Sequence, residues 1–169
     1  MWFNAIKIGF LSRALPGKLY ALILRIFKRN ISYMETALEL LGIPGSHSAV
    51  EIINLVEKGL TKRSYLKAKE FTGFSHKDMA AILSVSTKTL ENKKSKDRLS
   101  DTVSERLLKL AEVAAQGMRV FNSPELFRDW LQRPLRPLGG KRPVELMVNM
   151  YGLDTVKNLL GRIEHSVYS

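Results

Sequence analysis

Cysteine is absent from the 169-residue sequence. That excludes a disulfide framework, a thiolate nucleophile and any cysteine-based zinc site, and it agrees with a reducing compartment. Histidine is scarce. His47, His76 and His165 lie far apart, so no two of them share a helix face as metal ligands, and no metal site is expected. The nucleophile elbow and the phosphate-cradling glycine loop are also missing. Gly139-Gly140-Lys141 lacks both the spacing and the preceding strand of a phosphate loop and reads as a turn into a helix. No catalytic residue is expected, and the chain reads as neither an enzyme nor the holder of a cofactor. Long apolar runs are absent from its first third. The longest there, Leu19–Leu24, ends at Arg25, far short of the ~20 residues of a spanning helix. No small-residue cleavage site follows it.

Negative charge is missing from the start of the chain. Residues 1–33 carry Lys7, Arg13, Lys18, Arg25, Lys28 and Arg29 but no carboxylate before Glu35. Taking those six from the 27 cations leaves 21 against 16 carboxylates, so the remainder is only mildly basic. The early segment reads as a basic surface helix, as a partner-contacting helix, or as an upstream stretch with Met34 the true start. No stable membrane association is expected, and a cytoplasmic location is. The overall charge of +11 suits attraction to a polyanion.

Strand-type alternation is hard to find, and helical spacing runs almost throughout. Residues 34–41 form a short helix stopped by Gly42 and Pro44-Gly45. Ser48 and Glu51 make a capping box for a helix carrying Val50, Ile53, Val56 and Leu60. Thr61 caps the next, which ends at Gly73. Short helices follow over Ser75–Leu83 and Thr87–Ser95. The longest covers Ser100–Phe121 with a one-sided apolar stripe. Ser123-Pro124 opens another helix that ends near Leu131, before a connector holding two prolines and two glycines over 133–140. Pro143 starts a helix that stops before Gly152, and Asp154 caps the last one, to about His165.

Phe74–Leu90 has the spacing of a helix-turn-helix. Ala80 lets the two helices approach, while Met79, Leu83, Val85 and Leu90 form the small core between them. Ser86 and Thr87 start the second helix. Thr87, Lys88, Thr89, Asn92 and Lys93 face outward, as base and phosphate contacts require. Lys96 extends the basic run and, with Ser86, completes the expected DNA-binding set. Two positions depart from the pattern: Ser84 stands where glycine suits a left-handed turn, and Lys93 is charged where an apolar residue closes the core. An ordinary helical hairpin with a solvated basic face is the alternative.

Residues 98–169 hold spaced elements in a fixed order. They are Arg98-Leu99-Ser100, then Ser104–Ala111, then Trp130-Leu131, then Pro137–Gly140 with Pro143, and last Leu159–His165. This order resembles the Xre/MbcA/ParS toxin-binding domain of Xre-type antitoxins, which are paired with RES-domain toxins. The likeness covers about 100–169, and Leu55–Leu90 resembles the family's helix-turn-helix half. Arg142, where the family tends to place a capping Thr or Ser, and Ser166, where Gly is common, depart from it. The resemblance implies an all-α protein with a Cro/C1-like helix-turn-helix half over 46–99 and a small helical toxin-binding domain over 100–169; residues 1–45, read as a basic extension with a short helix, find no counterpart in the family.

It further implies a type II antitoxin that blocks the active site of a toxin degrading NAD+. It implies a homodimer that forms a larger hetero-oligomer with the toxin, and repression of its own operator DNA. The toxin-binding set is then Gly161, Arg162, Glu164, His165, Val167, Tyr168 and Ser169. The physics of the tail is compatible. Leu153, Val156, Leu159, Leu160, Ile163 and Val167 make one apolar stripe, leaving Arg162, Glu164 and His165 to project. Gly161 costs about 1 kcal/mol of helix stability relative to Ala, which makes sense where another group approaches closely. Tyr168 suits an interface anchor, and the Ser169 carboxylate suits a cationic pocket. Two alternatives remain: the tail packs only on its own domain, or the chain is a repressor whose C-terminal half serves dimerisation alone.

Overall fold

The structure, a computed structural model, describes the backbone of residues 33–167 and side chains as far as His165. The expectations for residues 1–32, for the Val167 side chain and for Tyr168 and Ser169 fall outside the described residues. From Met34 onward the chain forms one compact unit. It is all-α. Among the described residues the only extended pairing is an isolated antiparallel bridge between Thr61 and Arg98.

The first described helix, α1, runs to residue 40. After it come α2 (Ala49–Glu57), α3 (Lys62–Thr72), α4 (His76–Leu83), α5 (Thr87–Glu91), α6 (Asp101–Phe121), α7 (Pro124–Gln132), α8 (Pro143–Leu146) and α9 (Met150–Val167), with a 3-10 turn at Arg136–Leu138 between α7 and α8. Side-chain oxygens start most of them, because each helix begins with N–H groups that have no intrahelical acceptor. Ser48, Thr61, Ser75, Ser86, Ser100 and Ser123 each accept from the N–H three residues on.

The axis of the fold is α6. It packs against α2, α3, α4, α7 and α9, so its apolar residues are covered on several sides rather than along one stripe. Val103, Leu107, Leu110, Ala111, Val113, Ala114 and Ala115 are all buried. Its one fully buried polar residue, Ser104, donates to the Ser100 carbonyl and accepts from the Leu60 N–H, both at 2.7 Å. That satisfies a buried donor in the α2–α3 turn.

The apolar core is continuous across positions 99 and 100. A single apolar cluster runs from Ala37 to Leu160, and two arginines of the C-terminal half grip helix ends in the N-terminal half. Arg128 donates to the Phe71 and Glu70 carbonyls at the end of α3, each at 2.8 Å. Arg106 donates to the Ile82 carbonyl at the end of α4 (3.0 Å). Both place a cation where the last carbonyls of a helix concentrate partial negative charge.

Two helix boundaries differ from the sequence reading. The second helix of the helix-turn-helix stops at Glu91 rather than Ser95. There Asp97 closes a turn by accepting from the Lys94 N–H (2.7 Å), which returns the chain to its bridge with Thr61. At the other end, α8 has only four residues, and α9 starts at Met150. Asn149 caps it, accepting from the Gly152 N–H (2.8 Å). Gly152 is therefore not a stop signal. A Cβ there would lie 1.7 Å from the Leu146 carbonyl oxygen, so glycine is what lets α8 and α9 meet at this angle. Asp154, expected as the cap, pairs instead with Lys109.

Candidate functional site

Two surfaces carry the residues singled out by sequence. On the first, α4 and α5 form the expected helix-turn-helix. Ser84 takes the left-handed conformation itself, φ 57° and ψ 43°. This costs a serine more than a glycine, but the turn is fixed by the Val85 N–H bonding to the Ala80 carbonyl (3.0 Å). Met79, Ala80, Leu83 and Leu90 are buried between the helices, and Val85 is half-buried.

Ser86, Thr87, Lys88, Thr89, Asn92 and Lys96 are all exposed. Among them, the Lys88 and Lys96 ammonium groups make no hydrogen bond or ion pair among the described residues, which leaves two uncommitted cations beside α5. The Ser86 and Thr89 hydroxyls bond each other at 2.7 Å while Ser86 caps the helix. Lys93, also expected to face outward, is tied to a nearby carbonyl. It is half-buried, and its ammonium donates to the Arg98 carbonyl at 2.7 Å. The charged residue at an apolar core position is accommodated by reaching a backbone acceptor. Lys62, from α3, holds the carbonyls of Glu91 (3.0 Å) and Lys93 (2.6 Å), which anchors the end of α5.

On the second surface, α9 lies along α6 through a ladder that sequence reasoning missed. Lys109 pairs with Asp154 at 2.8 Å. Lys157 pairs with Glu112. Arg119 Nε meets Glu164 at 3.3 Å. The fourth rung is uncharged: turned with its oxygen to the Gly161 N–H (3.1 Å) and its nitrogen to the Lys157 carbonyl (3.2 Å), the Gln116 amide spans two consecutive turns of α9. Each rung joins residues 45 apart in sequence, so α6 and α9 run in the same direction. The Asp154 hydrogen bond, opposed by partial burial, holds the Lys109 ammonium above its ordinary range. Between the rungs Leu153, Val156, Leu159 and Leu160 are buried, and Ile163 is half-buried.

This arrangement sorts the expected tail residues. Glu164 does not project: it is 7% exposed and faces Arg119 across the ladder. The group that approaches Gly161 is Gln116 of the same chain, 3.2 Å from where a Cβ would sit. Arg162 and His165 do lie on the outer face. Arg142, expected to be a weak cap, is served by its neighbour. Glu145 reaches back to its N–H (2.9 Å) and to its guanidinium (2.8 Å), and the N–H bond above all holds the Glu145 carboxyl below the ordinary carboxylate value. Among the described residues no cluster of three metal-ligating side chains occurs, and no helix is long and apolar enough to cross a membrane.

Comparison with known proteins finds two family matches along the chain. Residues 51–112 match the antitoxin Xre-like helix-turn-helix domain, and residues 116–165 match the antitoxin Xre/MbcA/ParS C-terminal toxin-binding domain. The two matches meet inside α6. The chain is 29% identical over 135 residues to a protein named Prs ADP-ribosylating antitoxin from Sphingobium sp., covering 72% of this chain and 83% of that one. It is 26% identical over 130 residues to Antitoxin Xre from Photorhabdus laumondii subsp. laumondii, covering 76% and 87%.

Proposed function

Because the chain belongs to the antitoxins of the Xre/MbcA/ParS type, we propose that its toxin is a RES-domain protein that degrades NAD+, and that the end of α9 closes the toxin's active site. An antitoxin built of a helix-turn-helix and a toxin-binding domain is not itself an enzyme; NAD+ belongs to the partner. The name of the Sphingobium relative attaches ADP-ribosylation to its system. ADP-ribosyl transfer consumes NAD+ just as hydrolysis does, which supports NAD+ as the toxin's substrate.

The observation that carries this reading is the ladder. It ties α9 to its own domain as far as Glu164 and keeps Arg162 and His165 on the outer face. A helix clamped that far holds its outer-face residues with little ordering left to do, which favours tight capture. Gly161 and Glu164 then act as positioning residues. Arg162, His165, Val167, Tyr168 and the Ser169 carboxylate make the contact. At the other surface, Ser86, Thr87, Lys88, Thr89, Asn92 and Lys96 hold operator DNA. The chain represses its own operon as a homodimer that binds toxin in a larger cytoplasmic assembly.

Truncation after Ser166 tests this. It removes Val167–Ser169 and leaves every rung of the ladder. Growth rescue from the co-expressed toxin is expected to be lost while operator affinity stays unchanged. Full rescue by the truncated chain would return the C-terminal half to a role in dimerisation alone.

A further inference from the structure

Behind the segment that leaves α5, the corner where the end of α1 meets the α2–α3 turn holds an open cavity of about 360 Å3. Its floor is aliphatic: Leu41, Ile43, Leu55 and Leu60. Its rim is cationic, from Arg63, Lys67 and Arg98, and among the described residues no carboxylate lines it. Arg98 spends one N–H on the Gly59 carbonyl at 2.7 Å, which fixes its guanidinium at the rim. The Lys67 stem crosses Gly42 so closely that a Cβ there would lie 2.6 Å from its Nζ. The charged ends of Arg63 and Lys67 make no hydrogen bond or ion pair among the described residues. The first-turn N–H groups of α3 are spent: Lys62 on the Asp97 carbonyl (2.9 Å), Arg63 on the Ser95 carbonyl (3.0 Å) and Ser64 on Thr61 Oγ1 (3.3 Å). Any anion here is therefore held by side chains and not by the helix end.

Three cations converging without a counter-charge repel one another, and an anion relieves that repulsion. Water over an aliphatic floor finds few partners, so an apolar group gains by displacing it. The two halves of the cavity ask for different chemistry on one ligand. We infer that this corner binds a small amphiphilic anion, one carboxylate or phosphate ester on an aliphatic body, with its head between Arg63, Lys67 and Arg98 and its tail on Leu41, Ile43, Leu55 and Leu60. Duplex DNA fits less well, because its phosphates bring no aliphatic group to the floor. The site is independent of the toxin reading.

The test titrates the full-length chain with octanoate, neutral octanamide and inorganic phosphate, followed by backbone amide shifts. Octanoate is expected to shift residues around Leu60 and Arg63 saturably. Octanamide is expected to bind at least tenfold more weakly, and phosphate alone to show no saturation. Arg63→Gln with Lys67→Gln should weaken octanoate at least tenfold. Each single variant, at an exposed side chain, should weaken it in part and keeps the test open if the double variant folds poorly. Equal binding of octanoate and octanamide overturns the proposal, as does octanoate binding that survives the variants. Displacement of octanoate by a short duplex would overturn it too, assigning the corner to the DNA interface.

Discussion

Glu164→Gln separates two roles for the last charged rung. The Glu164 side chain is 8% exposed, and Arg119, 3.3 Å away, is 47% exposed. Exposed pairs contribute about 0–1 kcal/mol, and breaking a fully buried pair costs about 3–5 kcal/mol. Here one partner is buried, the other can turn to water, and the glutamine oxygen can still accept from Arg119. A loss of about 1 kcal/mol follows from those limits, equivalent to a fall in Tm of roughly 2–5 °C for a unit of this size. Toxin rescue should weaken in proportion, because the turn that leads into the tail frays. The charge swap, Arg119→Glu with Glu164→Arg, should recover most of both. Thermal melts and co-expression rescue read the two effects separately. Rescue lost at an unchanged Tm, or a swap that restores Tm without rescue, would mean that Glu164 touches the toxin directly and refute the positioning role.

Other expectations follow from particular contacts. Gly152→Ala should lower stability by about 2–3 kcal/mol, since the new methyl meets a backbone carbonyl that cannot swing aside; the ~1 kcal/mol gain in helix propensity does not offset it, and a raised Tm would refute the close approach. The folded Glu145 carboxyl ionises below its ordinary value of 4.5, so its contribution is present above that pH and is lost as pH falls through the lowered value. Glu145→Gln should therefore melt lower than wild type at neutral pH, with the gap closing on acidification below about pH 4.5; a gap that persists at low pH would contradict this. Lys88→Glu should weaken operator binding and flatten its salt dependence by about one unit or more. Lys93→Glu should change the salt slope less and lower Tm instead, because its ammonium is tied to Arg98; equal slopes would place Lys93 at the DNA.

The local features of this fold were legible because they depend on neighbours in sequence. The caps at Ser48, Thr61 and Ser123 and the core of the helix-turn-helix each need only a few adjacent positions. Ser84 was legible as a departure, and the structure shows the departure tolerated. The start of α9 was not legible. Gly152 reads as a breaker from sequence and serves as a passage for the Leu146 carbonyl only once α8 and α9 are in place. Glu164 was hidden for the same reason: a charge that looks solvated on its own helix meets Arg119 on a distant one.

The ladder carries that reasoning furthest. On α6 its rungs read cation, anion, amide, cation at Lys109, Glu112, Gln116 and Arg119. On α9 they read anion, cation, glycine, anion at Asp154, Lys157, Gly161 and Glu164. Both sets step by three, four and three, so a slip of one helical turn keeps the seam in contact but changes every pairing. One slip sets Lys109 against Lys157 and Glu112 against Gly161. The opposite slip sets Glu112 against Asp154 and Arg119 against Gly161. Each places like charges together and leaves a charge facing a glycine. The apolar residues between the rungs discriminate less, since leucine and valine recur at the same spacing along α9. The charges and the Gln116 amide therefore select the register, and a turn of register is ~5.4 Å of chain. That distance decides where Arg162 and His165 stand on the outer face. The polar seam between two helices, which begins at Lys109, therefore fixes where α9 lies as far as Glu164.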